Sequence, residues 1–544
     1  VPHPNATNFN GKRITFFFDE FVQLKDVNQK FILSPPQEKM PEIRQKGKSI
    51  DIIFAEDLLL NTTYTLYFSD AIVDNNEGNK LQNFEFAFST GPIIDSLMVK
   101  GTVIDAYTLE PVEGVLVMLY SQFNDSIPLK SKPIYVSKTN KQGFFSLSNI
   151  KYSNYKIFAL DDKNSNYIFD QASERVAFGF DTLKQEMLTT KTAMVGSTDS
   201  LQASFEQKVQ LKLFTEDSRI QRLTDFSRTS RRKLTLGFSI PFIGDVNLLP
   251  VNHSYNEPWY IKEVSTNRDS INYWITDHTL QLRDTIMMRV EYLKSDSLQN
   301  LVPTADTLRF SYYKEEEPRS RRRGDEKPRK EPTFKYSIQP ARGISLSPLQ
   351  SISFLFGMPL KSVDLRYISL YNTTDSVHVK DFNWLPDTLN PRRYSIVYPW
   401  VAKKGYTLMA LPGAFTNLDV ELNDTIKYSF AGYTPELLGS ISLSLKGVKG
   451  NTLIQLISAK GKTLDQKQLV SDGVVLFSYL PPENYSFRFV LDENSNGKWD
   501  TGYYLKGIQP ERVIYFEEAG KQKNINVRKN WEYELTFDLE PFLK

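Results

Sequence analysis

Near the end of the chain, Asp492-Glu493-Asn494-Ser495-Asn496-Gly497-Lys498-Trp499-Asp500 places oxygen side chains at loop positions 1, 3, 5 and 9 and glycine at position 6. That spacing suits calcium: alternate side chains turn inward, the glycine allows the sharp bend, and the position-7 carbonyl of Lys498 can add a ligand. Tyr503 stands at position 12, where a bidentate Glu would complete the set, so a carboxylate must be borrowed from elsewhere or binding is weak. An earlier stretch repeats the pattern, with Asp162, Asn164, Asn166 and Asp170 as the oxygen donors, but Tyr167 replaces the glycine. A bulky side chain resists the positive φ of the bend, which makes this copy the poorer calcium loop. Both stretches can equally be read as hairpin connections closed by Asx-turn hydrogen bonds.

Other chemistries find less support. The 544 residues include no cysteine, which excludes disulfides, thiol nucleophiles and cysteine-held metals. His3, His253, His278 and His378 never approach metal-ligand spacing. With 66 basic and 64 acidic side chains, the basic excess of a nucleic-acid binder is missing, so no nucleic-acid partner is expected. Carboxylate pairs are plentiful, and a glycosidase needs only two, yet nothing singles out Asp19, Glu20, Asp277 or Asp284 from other acids. The chain therefore reads as a non-enzyme. An alternative is a glycan-binding surface protein using Trp259, Trp274, Trp384 or Trp400 as ring platforms.

The elements that must carry these loops are strands. Ile14, Phe16 and Phe18 alternate with Thr15 and Phe17, and the same period returns at Ile50 to Phe54, Tyr64 to Phe68 and Phe84 to Phe88. Turn residues separate the runs, in the cadence of a β-sandwich. Gly143-Phe144-Phe145-Ser146-Leu147 matches Gly473-Val474-Val475-Leu476-Phe477, and at the same offset Asn154-Tyr155 meets Asn484-Tyr485 and Asp170 meets Asp500. Ile352 to Phe356 echoes Ile14 to Phe18 more weakly, so a pair of β-domains is duplicated around an unpaired central region. The expected fold is all-β, a tandem array of about five sandwiches, rod-like or curved, divided as 1–94, 95–196, 197–313, 333–433 and 434–544. Residues 314–332 form a charged linker or loop whose 8 basic and 6 acidic side chains leave 8 − 6 = +2, the whole formal charge of the chain.

No apolar run reaches the ~18 residues of a spanning helix, and Val1 opens a polar stretch rather than a signal peptide. A cytosolic protein, or one whose targeting segment has been removed, fits that reading. The triplet Asp, Ser or Thr, then an aliphatic residue occurs at Ser96, Ser126, Thr182, Ser200, Ser270, Thr285, Ser297, Thr307, Ser376, Thr388 and Thr425. Such pairs start strands after turns. The triplet also resembles the O-glycosylation signal of extracytoplasmic proteins in Bacteroidota.

Taken together, the chain resembles the Ig-like-domain outer-membrane lipoproteins of Bacteroidota. The first domain is similar to their bacterial Ig-like module in Ile14 to Val22, Leu33-Ser34-Pro35-Pro36, Asn61 to Thr65, Asp74 to Asn79 and Phe88 to Gly91. The second and last look like carboxypeptidase-regulatory or transthyretin-like sandwiches, most specifically in Asp492 to Gly502, Gln509-Pro510-Glu511 and Val527 to Glu532. The resemblance implies an N-terminal lipid anchor lying outside this sequence, outer-membrane location and display at the cell surface. It further implies a non-catalytic role as scaffold or accessory subunit, with an outer-membrane β-barrel protein and other envelope lipoproteins as partners.

Overall fold

The computed structural model describes residues 2–543 apart from 83, 180–181, 185–187, 191–208, 252–254, 256–257, 298, 313–333, 342 and 519–520. The charged stretch 314–332 and the triplet at Ser200 lie outside the described residues. Among those described, α-helix is confined to Val27–Lys30 and His278–Gln281, and the rest of the regular structure is strand and short 3₁₀ turns.

In the first sandwich, Arg13–Phe17 pairs with Ser49–Ile53, which pairs in turn with Glu42–Lys46. The facing sheet is Ile32–Ser34, Thr63–Tyr67 and Glu85–Ser89. Alternation decides what is inside: Ile14 and Phe16 are buried with Tyr64, Leu66 and Phe88, while Phe17, the next residue along the strand, is 72% exposed. The fourth sandwich repeats this pairing strand for strand. Ile352–Phe356, Arg393–Val397 and Asn383–Pro386 make one sheet, and Ile368–Asn372, Gly405–Ala410 and Ile426–Gly432 make the other. Even the short side pair recurs, Val22–Leu24 with Ile72–Asp74 and Leu360–Val363 with Phe415–Asn417.

The second and fifth sandwiches are the other duplicated pair. Leu97–Asp105 pairs with Phe144–Ile150, and Leu116–Tyr120 lies between Tyr135–Lys138 and Lys156–Leu160. Gly439–Lys446, Gly473–Leu480, Thr452–Ser458, Thr463–Leu469 and Asn484–Leu491 repeat that order. Each copy closes with a late strand running parallel to its first: Val209–Thr215 on Leu97–Asp105, and Glu532–Asp538 on Gly439–Lys446. Residues of the 197–313 stretch thus complete the second sheet. The central sandwich faces Leu223–Ser230, Lys233–Phe238, Ser270–Ile275 and Tyr260–Val264 against Asn247–Pro250, Thr285–Ser295 and Leu301–Ser311. The fold is an all-β array of five β-sandwiches.

The array is not an open rod, because the fifth sandwich folds back onto the second. Tyr504 is 2% exposed and sits 4.8 Å from Phe158 and 5.1 Å from Phe178 between ring centroids. Burying such a ring is worth about 2–3 kcal/mol. In the opposite direction, Tyr107 of the second sandwich packs among Leu453, Val490 and Val513 of the fifth, 3.9 Å beneath the Arg488 guanidinium. Polar groups fix the register of the contact. The Thr501 hydroxyl donates to the Thr215 carbonyl (2.6 Å), the Tyr504 N–H to Glu216 (2.6 Å) and the Gln509 amide to the Phe178 carbonyl (2.7 Å). A Cβ at Gly502 would stand 2.6 Å from the Phe214 ring, so only glycine permits this approach. Elsewhere, Asn149 joins the first and second sandwiches by donating to Thr65 (2.8 Å) and Glu85 (3.2 Å). The central and fourth are joined by the Arg392–Glu263 pair at 2.7 and 3.0 Å.

Candidate functional site

The two oxygen-rich loops follow equivalent strands, Lys156–Leu160 and Asn484–Leu491, and both abut the contact between the second and fifth sandwiches. In the later loop Asp492 is 1% exposed. Its carboxylate accepts from the Asn496 N–H (3.0 Å), the Gly497 N–H (2.9 Å) and the Asn451 amide (2.7 Å). Asn494 and Asn496 both donate their side-chain amides to the Asp500 carboxylate. Their own oxygens accept from the N–H groups of Asn496 (3.1 Å) and Lys498 (3.0 Å). Lys498 also pairs through its ammonium with Asp500 at 3.4 Å.

The earlier loop has the same wiring. Asp162 accepts from the N–H groups of Ser165 (2.7 Å), Asn166 (3.3 Å) and Tyr167 (2.9 Å), and Asn164 and Asn166 donate to Asp170 at 3.0 and 2.7 Å. Tyr167 takes the bend at φ 64° where Gly497 has 79°.

A carboxylate that sequence spacing did not single out stands beside each loop. Glu511 accepts from the N–H groups of Glu493 (2.9 Å) and Asp500 (3.0 Å), tying positions 2 and 9 together. Glu174, fully buried, does the same for Lys163 (3.2 Å) and Asp170 (3.2 Å) and adds Gln171 (3.1 Å). The signal was present as Gln509-Pro510-Glu511 and Ser173-Glu174, but the two glutamates lie at different distances along the chain from their loops. Burial pushes the Glu511 carboxyl above the ordinary carboxylate range, against the two N–H groups that pull it down.

Among the described residues, no three His, Asp or Glu side chains gather as a metal cluster. A calcium set at either loop must therefore include amide and carbonyl oxygens. The side chains of Asn494 and Asn496 and the Lys498 carbonyl carry oxygens of that kind. The Oδ1 atoms of Asn494 and Asn496 accept from the Asn496 and Lys498 N–H groups while their amide nitrogens face Asp500, so a cation here would have to displace those Asx bonds to reach the oxygens. As they stand, the same loops close on Asx-type hydrogen bonds alone.

The other candidates separate. Trp259, Trp274 and Trp400 are buried at 1%, 4% and 1% exposure, and Trp384 is stacked between Tyr394 and Phe415, so these four serve cores and offer no ring face to a glycan. Trp274 instead donates to Glu263 (2.6 Å). Asp277 caps the helix His278–Gln281, Asp284 pairs with Arg231 at 2.8 Å, and Asp19 and Glu20 lie exposed in another sandwich. The structure does not bring these acids together. None of the ten described triplet hydroxyls is buried: Ser96, Ser297, Thr307, Ser376, Thr388 and Thr425 are exposed, and Ser126, Thr182, Ser270 and Thr285 half-buried. Ser270 and Thr285 begin strands, as the turn-to-strand reading of the triplet expects.

The bacterial Ig-like domain family matches residues 1–90, the first sandwich. No curated protein matches the chain. Among solved structures, the S-layer protein rSbsC is 10% identical, with 95% of this chain and 67% of that one covered at a TM-score of 0.16. The Bacillus anthracis TIE protein is 11% identical over 99% of this chain and 73% of that one, at 0.14. The BSP domain of a biofilm associated protein is 8% identical over 97% and 98%, at 0.15.

Proposed function

We propose that the chain is a non-catalytic, surface-exposed outer-membrane lipoprotein acting as scaffold or accessory subunit of an outer-membrane β-barrel complex. The observation that carries this reading is the closure of the fifth sandwich onto the second. A chain that braces its duplicated sandwiches against each other holds its outward faces at fixed spacing, which is what a scaffold needs. The exposure of six of the ten described Asp-Ser/Thr acceptors, with none of the ten buried, supports O-glycosylation outside the cytoplasm, and the near-neutral charge suits protein partners better than a polyanion. Calcium at Asp492, Asn494, Asn496, the Lys498 carbonyl and Asp500, and at Asp162, Asn164, Asn166 and Asp170, would stiffen the loops that abut the closure.

The native protein, solubilised from its membrane in mild detergent, is expected to co-purify with an integral β-barrel protein and to carry glycan mass on tryptic peptides containing the triplets. Recovery only as a free, unmodified monomer overturns the reading.

A further inference from the structure

The strand Gly439–Lys446 presents Ser440 and Ser442 on the outer face of its sheet, where they floor a trough of about 630 Å³, within the range of small-ligand sites. Aromatic side chains flank it on both sides. Tyr479 is the penultimate residue of the neighbouring strand Gly473–Leu480, and Trp531 immediately precedes the other neighbour, Glu532–Asp538. Strand spacing puts the two about 10 Å apart across the central strand.

Trp531 is 51% exposed, and its position is built. Its carbonyl accepts from the Ser440 N–H (3.0 Å), the preceding Asn530 is pinned in the left-handed region by its N–H to the Leu438 carbonyl (2.9 Å), and the Arg528 guanidinium lies 5.1 Å from the indole. Gly439 makes room for this turn, since a Cβ there would meet the Trp531 carbonyl at 3.0 Å. The Tyr533 ring also lies 5.8 Å from the indole, so about half of Trp531 is packed and the exposed half, together with Tyr479, borders the trough.

Tyr479 carries a second sign. It holds φ 60°, a conformation a bulky residue rarely adopts, and its ring stands edge-on to Tyr433 at 5.0 Å. The equivalent residue of the second sandwich is Asn149, at φ 58°, a type that tolerates this region. There, Asn149 uses the position to hold the first Ig-like sandwich, so that face is covered by protein. In the fifth sandwich the same position is aromatic and opens onto the trough.

We infer that this trough binds a neutral oligosaccharide, with Trp531 and Tyr479 stacking on sugar rings. A pyranose offers an apolar C–H face to an indole or phenol ring and hydroxyls around its rim. The rim meets Ser440, Ser442 and the carboxylates of Glu532 and Glu534, which accept hydroxyl hydrogens and repel anionic ligands. A peptide strand cannot add here, because Gly439–Lys446 is already paired on both sides.

The test titrates the full chain with cellohexaose, xylohexaose, mannohexaose and maltohexaose, read by calorimetry and by tryptophan fluorescence, since Trp531 is the one strongly exposed tryptophan of six. At least one sugar is expected to bind saturably and shift the fluorescence. Trp531→Ala should weaken that binding by about tenfold or more without moving the melting temperature. Ser442→Arg, which fills the floor and leaves both rings in place, should abolish it. Absence of saturable binding to all four sugars, or binding by either variant equal to wild type, overturns the inference. Neither outcome depends on whether the chain is recovered in a membrane complex.

Discussion

The loops Asp162–Asp170 and Asp492–Asp500 run the same course on different support. Gly497 adopts the left-handed bend freely, and a Cβ there would meet nothing within 4 Å. Tyr167 adopts the same bend at a cost of about 1–3 kcal/mol. The cost is offset because its ring is only 9% exposed, in the cluster that holds Phe158, Phe178 and Tyr504 at the closure. Burial of that ring contributes about 2–3 kcal/mol. Intrinsic backbone preference ranks the glycine loop first, whereas tertiary burial makes the tyrosine loop equally well formed. The earlier loop is held from beneath by the Tyr167 ring in that core; the later one has no ring at its bend and is held by the buried Asp492, which Asn451 reaches in to meet, and by Trp499, which packs 4.9 Å from the Tyr107 ring and donates its indole N–H to the Glu511 carbonyl (2.9 Å).

The sharpest way to break this contrast is to remove the ring. Tyr167→Ala keeps the strained bend and loses the burial, so it should destabilise the second sandwich by about 3–5 kcal/mol in denaturant unfolding. Gly497→Ala adds only backbone strain in open space and should cost about 1 kcal/mol. Equal losses in the two variants would mean that the loops are supported alike.

Position 1 should show the opposite order. Asp492→Ala strands three donors in a buried setting and is expected to cost about 3 kcal/mol, whereas Asp162, which is half-exposed, leaves donors that water can reach, at about 1–2 kcal/mol. Calcium enters through the same pair. At about a hundred times its dissociation constant, a bound ion adds ~2.7 kcal/mol, so wild-type melting should fall by a few degrees when calcium is replaced by chelator. That response should shrink most in Asp492→Ala. A wild-type melt indifferent to chelator removes calcium from both loops.

Much of this contrast is legible in the sequence, and the limit has a physical cause. The constant offset from Gly143 through Asp170 to Gly473 through Asp500 exposes the duplication because paired strands and their turns cannot shift register without turning side chains to the wrong face. Ile14 and Phe16 announce their face by alternation. The closure is not legible: Thr501, Gly502 and Tyr504 read as an ordinary loop, and only the fold brings them to Thr215, Phe214 and Phe158. The constant offset from Glu174 leads to Tyr504, while the equivalent carboxylate is Glu511, so extra chain between loop and glutamate hides the match. Tryptophan identity likewise does not say which side of a sheet it occupies, and Trp259 and Trp400 proved to be core while Trp531 faces water.

Those two glutamates give the smallest and most discriminating effect. Burial, with Asp500 and Asp492 nearby, raises the folded-state pKa of Glu511 above its unfolded value, while the N–H groups of Asp500 and Glu493 oppose the shift. A carboxyl raised in the folded state binds its proton more tightly there. Its contribution is fully present below the unfolded pKa and is lost as pH rises through the folded one. In chelator, the stability of wild type relative to Glu511→Gln should therefore be greatest near pH 4 and should decline toward pH 7, about one kcal/mol or less in all. A gap that instead widens with rising pH would mean that the two N–H donors outweigh burial. The ionised carboxylate would then be the form that ties position 2 to position 9, and the later loop would draw its support from charge, where the earlier one draws it from the Tyr167 ring.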